Sequence, residues 1–280
     1  RGSWEARFLG GVGDAYFKEG VPVRLYPGSV KAKLGKRLSK KDRVFEIRAE
    51  AEDPKFAVWD LPEFQHRRGR IAGRVCDDLI GAASILATLI LLRRSKVNVM
   101  GVFSRAEEVG FHGALALAQS GLIPKNALVI SLETSRELPP AKIGNGVILR
   151  VGDRASIFDS TATRFLAEVA GDLQKSEPEF KFQRALMFGG TCEATAYQEH
   201  GYPCAAVCVA LGNYHNCGAR ETIRPEFVSA SDAAAMTDLL VQAVQRMPQF
   251  GKFTDRLPRR LGKLRAEALR KLRRHPVNVP

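Results

Sequence analysis

Arg70-Ile71-Ala72-Gly73-Arg74-Val75-Cys76-Asp77-Asp78-Leu79-Ile80-Gly81-Ala82-Ala83-Ser84-Ile85-Leu86-Ala87-Thr88-Leu89-Ile90-Leu91-Leu92 reads as an apolar strand that runs into an acidic pair and then into a helix. From Leu79 to Leu92 small and large apolar residues alternate, as on a helix buried on most sides, and the run is too short to span a bilayer. The helix is expected over Asp78 to Arg94. The same rhythm continues downstream: a strand from Val97 to Ser104, a short helix around Gly113 to Gln119, and a strand Ala127 to Leu132. A β segment Val147 to Val151 follows, then an amphipathic helix from Ser156 to Gln174 and a short strand Ala185 to Phe188. A helix Glu193 to Glu199, a strand Ala205 to Leu211 and a helix Pro225 to Met247 complete the series. Strands and helices alternating at this length predict an α/β layered fold.

Upstream of this series the pattern is different. Val21 to Tyr26, Val44 to Ala49 and Phe56 to Trp59 are short alternating strands, and the Lys-rich Lys31 to Lys41 between them reads as an exposed loop. Residues 1–69 are therefore expected to form a small β subdomain, 70–250 the main domain, and 251–280 a tail.

Four chemical stations stand where apolar strands run out: Asp77-Asp78, Glu107-Glu108, Glu133 and His215. Strand ends converge on one edge of an open α/β sheet, so residues distant in sequence can meet there. Three carboxylate stations with one imidazole suit zinc, cobalt or manganese. A spare carboxylate beside a ligand can serve as a general base. Each station has a plainer reading: Asp78 suits the N-cap of the helix that follows, paired glutamates often mark a helix surface, and a lone loop histidine is more often structural. Glu133 closing an uncharged strand is harder to dismiss, because burying it without a cation is costly.

The chain of 280 residues is 45% hydrophobic with a formal net charge of +13. Ten Lys or Arg between Lys252 and Arg274 face only Asp255 and Glu267, so +8 of that charge belongs to the tail. Leu257, Leu261, Leu264, Ala268 and Leu272 recur there at helical spacing, which predicts a docked helix with a solvated basic face in preference to contact with nucleic acid or an anionic membrane. The five cysteines form no CxxC pair, and read as buried small hydrophobes in a reducing, cytoplasmic setting.

The segments Cys76-Asp77-Asp78-Leu79-Ile80-Gly81, Ala106-Glu107-Glu108-Val109-Gly110-Phe111-His112-Gly113-Ala114, Ile143-Gly144-Asn145-Gly146, Gly189-Gly190-Thr191 and Tyr214-His215-Asn216 together resemble the tetrahedral aminopeptidases, co-catalytic metallopeptidases of the glutamyl aminopeptidase and endoglucanase-like group. The resemblance spans Gly69 to Met247 and, more weakly, the first 70 residues, which correspond to the family's inserted β domain. It implies a zinc-peptidase-like α/β fold with a mixed central sheet flanked by helices, a peptide substrate, a homo-oligomer and two divalent metals, zinc in the first instance and cobalt or manganese otherwise. It further implies that Asp77 bridges the metals, Glu108 and His215 complete one site, Glu133 binds the other, and Glu107 is the general base. Asp78 and Glu221 would support the ligands from behind. Three departures stand out: the family's further metal-binding His, expected in sequence upstream of Arg1; Leu79 where the family has Arg; and Glu133 where it has Asp. The reading is a metal-dependent aminopeptidase, with a deacylase of N-acyl amino acids and a non-catalytic assembly homologue as its rivals.

Overall fold

The computed structural model describes residues 2–8, 11–39, 41–252 and 256–274. Its centre is a four-stranded mixed sheet in the order β10-β9-β11-β8, formed by β8 (Val129–Arg136), β9 (Val147–Gly152), β10 (Phe182–Leu186) and β11 (Cys204–Leu211). β11 runs parallel to β8 and antiparallel to β9, and β9 runs parallel to β10. All eight residues of β11 are buried, as its central position and two covered faces require. Its side chains sort by the strand's period of two: Ala205, Val207, Val209 and Leu211 face one core, Cys204 and Ala206 a second, Cys208 and Ala210 a third.

The first core is closed by α1 (Leu79–Leu92), α3 (Ser160–Ser176) and α5 (Ala230–Gln245), through Ile80, Phe165, Leu166, Val169, Met236 and Leu239. The opposite face is closed by α2 (His112–Ser120) and α4 (Glu193–Glu199), through Ala114, Ala118, Ala194 and Tyr197. Each of these side chains contributes about 1–3 kcal/mol by leaving water, the alanines least. The Gly144-Asn145-Gly146 turn before β9 is held by Asp232 at the start of α5, whose carboxylate accepts from the N–H of Gly144 at 2.7 Å and of Gly146 at 2.9 Å. Gly146 has φ +92°, and a Cβ there would collide with the Lys181 carbonyl, so this motif is met by glycine for backbone reasons.

The N-terminal part forms a five-stranded antiparallel sheet, β1-β4-β3-β2-β5, from β1 (Gly2–Arg7), β2 (Pro22–Tyr26), β3 (Val30–Ser39), β4 (Val44–Ala49) and β5 (Phe56–Trp59). It has its own core of Val23, Leu25, Leu34, Phe45, Ile47 and Trp59, against which Ile223 of the main body also packs. A three-stranded sheet, β12-β7-β6, joins the two parts, from β6 (Gln65–Arg67), β7 (Arg70–Gly73) and β12 (Glu226–Ser229).

Four expectations are corrected. The Lys-rich stretch up to Ser39 lies in the ten-residue strand β3, because its lysines there face water while Val30, Ala32 and Leu34 face the core. Residues 97–104 form no strand ladder among the described residues. They pass close over α1 instead, where a Cβ on Gly101 would lie 2.6 Å from Ile85 and 2.8 Å from Leu89. The helix expected from Pro225 begins only at Ala230, after β12. The tail does form a helix, α6 (Arg256–Arg274), but every residue from 259 to 273 is exposed, so it does not dock on the body.

Candidate metal centre

Asp77 and Asp78 stand between β7 and α1, joined by a cis peptide. Their two side chains divide the work as the helix signal suggests: Asp78 caps α1, accepting from the Gly81 N–H at 3.0 Å. Asp77 is turned to the other side, with only 13% of its side chain exposed. There it meets Glu108 and His215; one ligand atom from each of the three lies within 4.8 Å of the others. His215 Nε2 is 3.9 Å from Asp77 Oδ2 and 3.9 Å from Glu108 Oε2. These are not hydrogen bonds. Ligands of a tetrahedral zinc at bonds of about 2.1 Å stand about 3.4 Å apart, so the two His215 pairs need about half an ångström of closure, and the Asp77–Glu108 pair, within 4.8 Å, up to about 1.4 Å, to bring all three on to one ion. Two carboxylates and one imidazole fit a divalent metal in both spacing and chemistry.

The local backbone holds these residues in costly conformations. Glu107 to Val109 form a short 3-10 turn between Ala106 (φ 60°) and Phe111 (φ 56°), and Asn213, His215 and Asn216 also have positive φ. Such non-glycine residues cost on the order of 1 kcal/mol each and gather at functional sites. The His215 ring stacks on Tyr214 at 3.8 Å between centroids, and Gly11 lies against its Nδ1 side, where an added Cβ would approach to 3.0 Å. Nε2 is thereby left facing the carboxylates.

The electrostatics call for a cation. Burial, then the Glu108 carboxylate, pushes Asp77 up to about 6. Burial, then Glu108 and Asp77, pushes Glu107 up to about 7. Asp78 is raised well above the usual range by burial and by Asp77. Metal uptake must expel the proton that the ligand Asp77 holds. Zinc uptake by metal-free protein is therefore expected to release more protons at pH 6 than at about pH 8, with affinity falling as pH drops through 6. Calorimetry in buffers of different ionisation heat checks this; equal proton release at both values would contradict the electrostatic picture.

Glu133 is not at the end of its strand. It lies inside β8 opposite Cys208, since Thr134, Ser135 and Arg136 continue the ladder along Val209 to Leu211. It is not one of the residues within 4.8 Å that Asp77, Glu108 and His215 make up. Burial raises it well above the usual range, partly offset by Arg150, with Asp78, Glu107 and Asp77 adding to the rise. Glu221, expected to orient His215, is instead exposed and paired with Lys18 at 2.9 Å.

Two contributors escaped the sequence reading. Glu226, 3% exposed, accepts from the backbone N–H groups of Cys76 at 2.8 Å and Asp77 at 3.1 Å through Oε2, clamping the segment that carries Asp77. Its only sequence signal is a carboxylate placed directly before the apolar pair Phe227-Val228. Arg150, 4% exposed and a lone cation in the apolar β9, offsets part of the rise in Asp77, Glu107 and Glu133. Glu226→Ala would strand two N–H groups at about 1–3 kcal/mol each. It is expected to weaken metal binding about 10–100-fold, and Glu226→Gln, which keeps an acceptor, to recover most of that. Unchanged metal affinity in Glu226→Ala would remove the clamp from the site.

A family model described as M42 glutamyl aminopeptidase matches residues 42–230, a span that holds Asp77, Glu107, Glu108, Glu133, His215 and Glu226. The chain is also similar to the TET1 peptidase of Pyrococcus horikoshii, which can assemble into a tetrahedron or a large octahedral shell (20% identity, TM-score 0.67, covering 85% of this chain and 76% of that one). The TET aminopeptidase of the marine sediment archaeon Thaumarchaeota archaeon SCGC AB-539-E09 is similar at 21% identity and TM-score 0.67 over 85% of this chain and 74% of that one. An aminopeptidase of Desulfurococcus kamchatkensis is similar at 21% identity and TM-score 0.64 over 84% and 71%. At such identities the structural likeness speaks for the fold.

Proposed function

Because the chain belongs to the M42 glutamyl aminopeptidase family and is a metal-dependent aminopeptidase, we propose that it removes N-terminal residues from short peptides at the Asp77, Glu107, Glu108 and His215 cluster. The observation that carries this reading is the convergence of Asp77, Glu108 and His215 within 4.8 Å, with Glu107 next in the chain to one of them. Asp77, Glu108 and His215 would hold one zinc, and Asp77 with Glu133 a second; cobalt or manganese suits the same donors. The metal, when bound, polarises the scissile carbonyl and acidifies water. Glu107 takes the proton of the attacking water and returns it to the leaving amine. Asp77 is positioned by Glu226 behind it, and Asp78 fixes the start of α1.

Aminoacyl p-nitroanilides and N-acyl amino acids, offered side by side to zinc-loaded protein, test the assignment. Turnover of the free-amine substrates, lost on chelation and restored by zinc or cobalt, is the expected result. Hydrolysis of the N-acyl compounds alone would transfer the site to a deacylase.

The chain is further proposed to work as a homo-oligomer. Support comes from the assembling TET1 neighbour and from exposed apolar residues grouped on α1 and the segment after it, Leu86 at 52%, Ile90 at 59%, Leu91 at 58% and Met100 at 64%. Sedimentation velocity at micromolar protein decides between a monomer and an assembly. No helix of the described residues is long and apolar enough to cross a membrane.

A further inference from the structure

We propose that α6 is a surface anchor that lays the enzyme on an anionic lipid bilayer. Leu261, Leu264, Ala268 and Leu272 fall at i, i+3, i+7 and i+11, which puts them on one face of the helix. Leu261 is 53% exposed, Leu264 51% and Leu272 61%, so this apolar face is uncovered. Leu269, 43% exposed, lies beside this face, and most of the remaining circumference is cationic: α6 holds nine Lys or Arg against Glu267, which itself pairs with Lys271 at 2.9 Å. No station of the metal centre lies on α6, and none of its residues from 259 to 273 is buried.

Three occupants could be set against such a helix, and the charges and leucines together select one. A nucleic acid would neutralise the cations but leave the leucines in water. A second α6 would cover the leucines but bring two strongly cationic helices alongside each other. An anionic bilayer answers both needs: the leucines enter the boundary of the acyl chains, while Lys and Arg extend their stems and reach headgroup phosphates. At 1.5 Å per residue the helix lies about 28 Å along the surface. It contains no aromatic residue and is strongly charged, so it lies on the bilayer without spanning it. The peptidase would then act on peptides released or gathered at a membrane.

The test uses the full chain, pelleted with vesicles of phosphatidylcholine alone or of an equimolar mixture with phosphatidylglycerol, at low and high salt. Binding to the anionic vesicles at low salt, weakened at high salt and absent from the neutral ones, is expected. Replacing Arg270, Lys271 and Arg273 by Gln should weaken binding by roughly fivefold per cation removed. Leu264→Ser with Leu272→Ser keeps every charge and should weaken it on the order of tenfold or more. All five positions are exposed and lie off the body, so peptide hydrolysis in solution is expected to stay within a few-fold and reports that each variant is folded. Failure to pellet with anionic vesicles overturns the proposal, as does equal binding to neutral ones. A leucine variant that binds as tightly as the parent would reduce α6 to a general polyanion binder. Tighter binding to duplex RNA than to anionic vesicles would assign the helix to nucleic acid. Self-association lost in the leucine variant, without vesicle binding in the parent, would assign it to a second copy. None of these outcomes touches the assignment of the metal centre, which stands or falls on hydrolysis and metal content.

Discussion

Glu107→Gln is expected to bind metal as the parent does and to lose about 10²–10⁴-fold in turnover, the range typical of a lost general base. Gln keeps the size and hydrogen-bonding reach of Glu but cannot take the proton of water. The expected split between full metal content and lost turnover is what separates a base from a ligand. Glu107 is in the same 3-10 turn as Glu108, between the left-handed Ala106 and Gly110, so the two carboxylates leave the turn in different directions. Elemental analysis and initial rates on one preparation check the prediction. Near-parental turnover would take Glu107 out of the chemistry, and loss of metal would make it a ligand.

His215→Ala and Glu108→Ala are expected to lose metal and activity together. Outer partners of metal ligands already cost about 10–100-fold in affinity when removed, so deleting a ligand should cost more than the upper end of that range. Glu108 is the cleaner probe. Its side chain is 58% exposed against 13% for Asp77 and 19% for His215, so its truncation leaves no buried gap to confuse the result. Glu221→Ala, at an exposed carboxylate paired with Lys18, is the matched control and should leave metal content unchanged. Parental metal stoichiometry in both His215→Ala and Glu108→Ala would dissolve the proposed centre.

Features resting on local interactions were legible in the sequence. The apolar run from Leu79 with Asp78 before it announces a capped helix, because capping joins residues three apart and the structure forms that bond at 3.0 Å. Glu107-Glu108 beside Gly110 announces a turn with two carboxylates, and the apolar run Ala205 to Leu211 announces a strand, which the structure buries along its whole length. The motifs around Asp77, Glu108 and His215 point to one shared site, and the structure brings a ligand atom of each within 4.8 Å of the others.

What only the tertiary structure decided are matters of partnership between distant segments. Lys31 to Ser39 has the composition of a loop and becomes a strand because β2 and β4 pair with it on either side. Val97 to Ser104 has the pattern of a strand and lacks a ladder among the described residues, since alternation in one segment does not reveal its neighbour. Which carboxylate supports the ligands could not be read from spacing: Glu221, six residues after His215, is the one expected to orient the imidazole, yet the pairing of β12 with β7 brings Glu226 beneath Cys76 and Asp77. The amphipathic tail determined its own helicity, whereas its separation from the body was a tertiary outcome. Helical periodicity is set by neighbours three and four residues away, but contacts that bury a face or aim a carboxylate are set by residues more than a hundred positions apart.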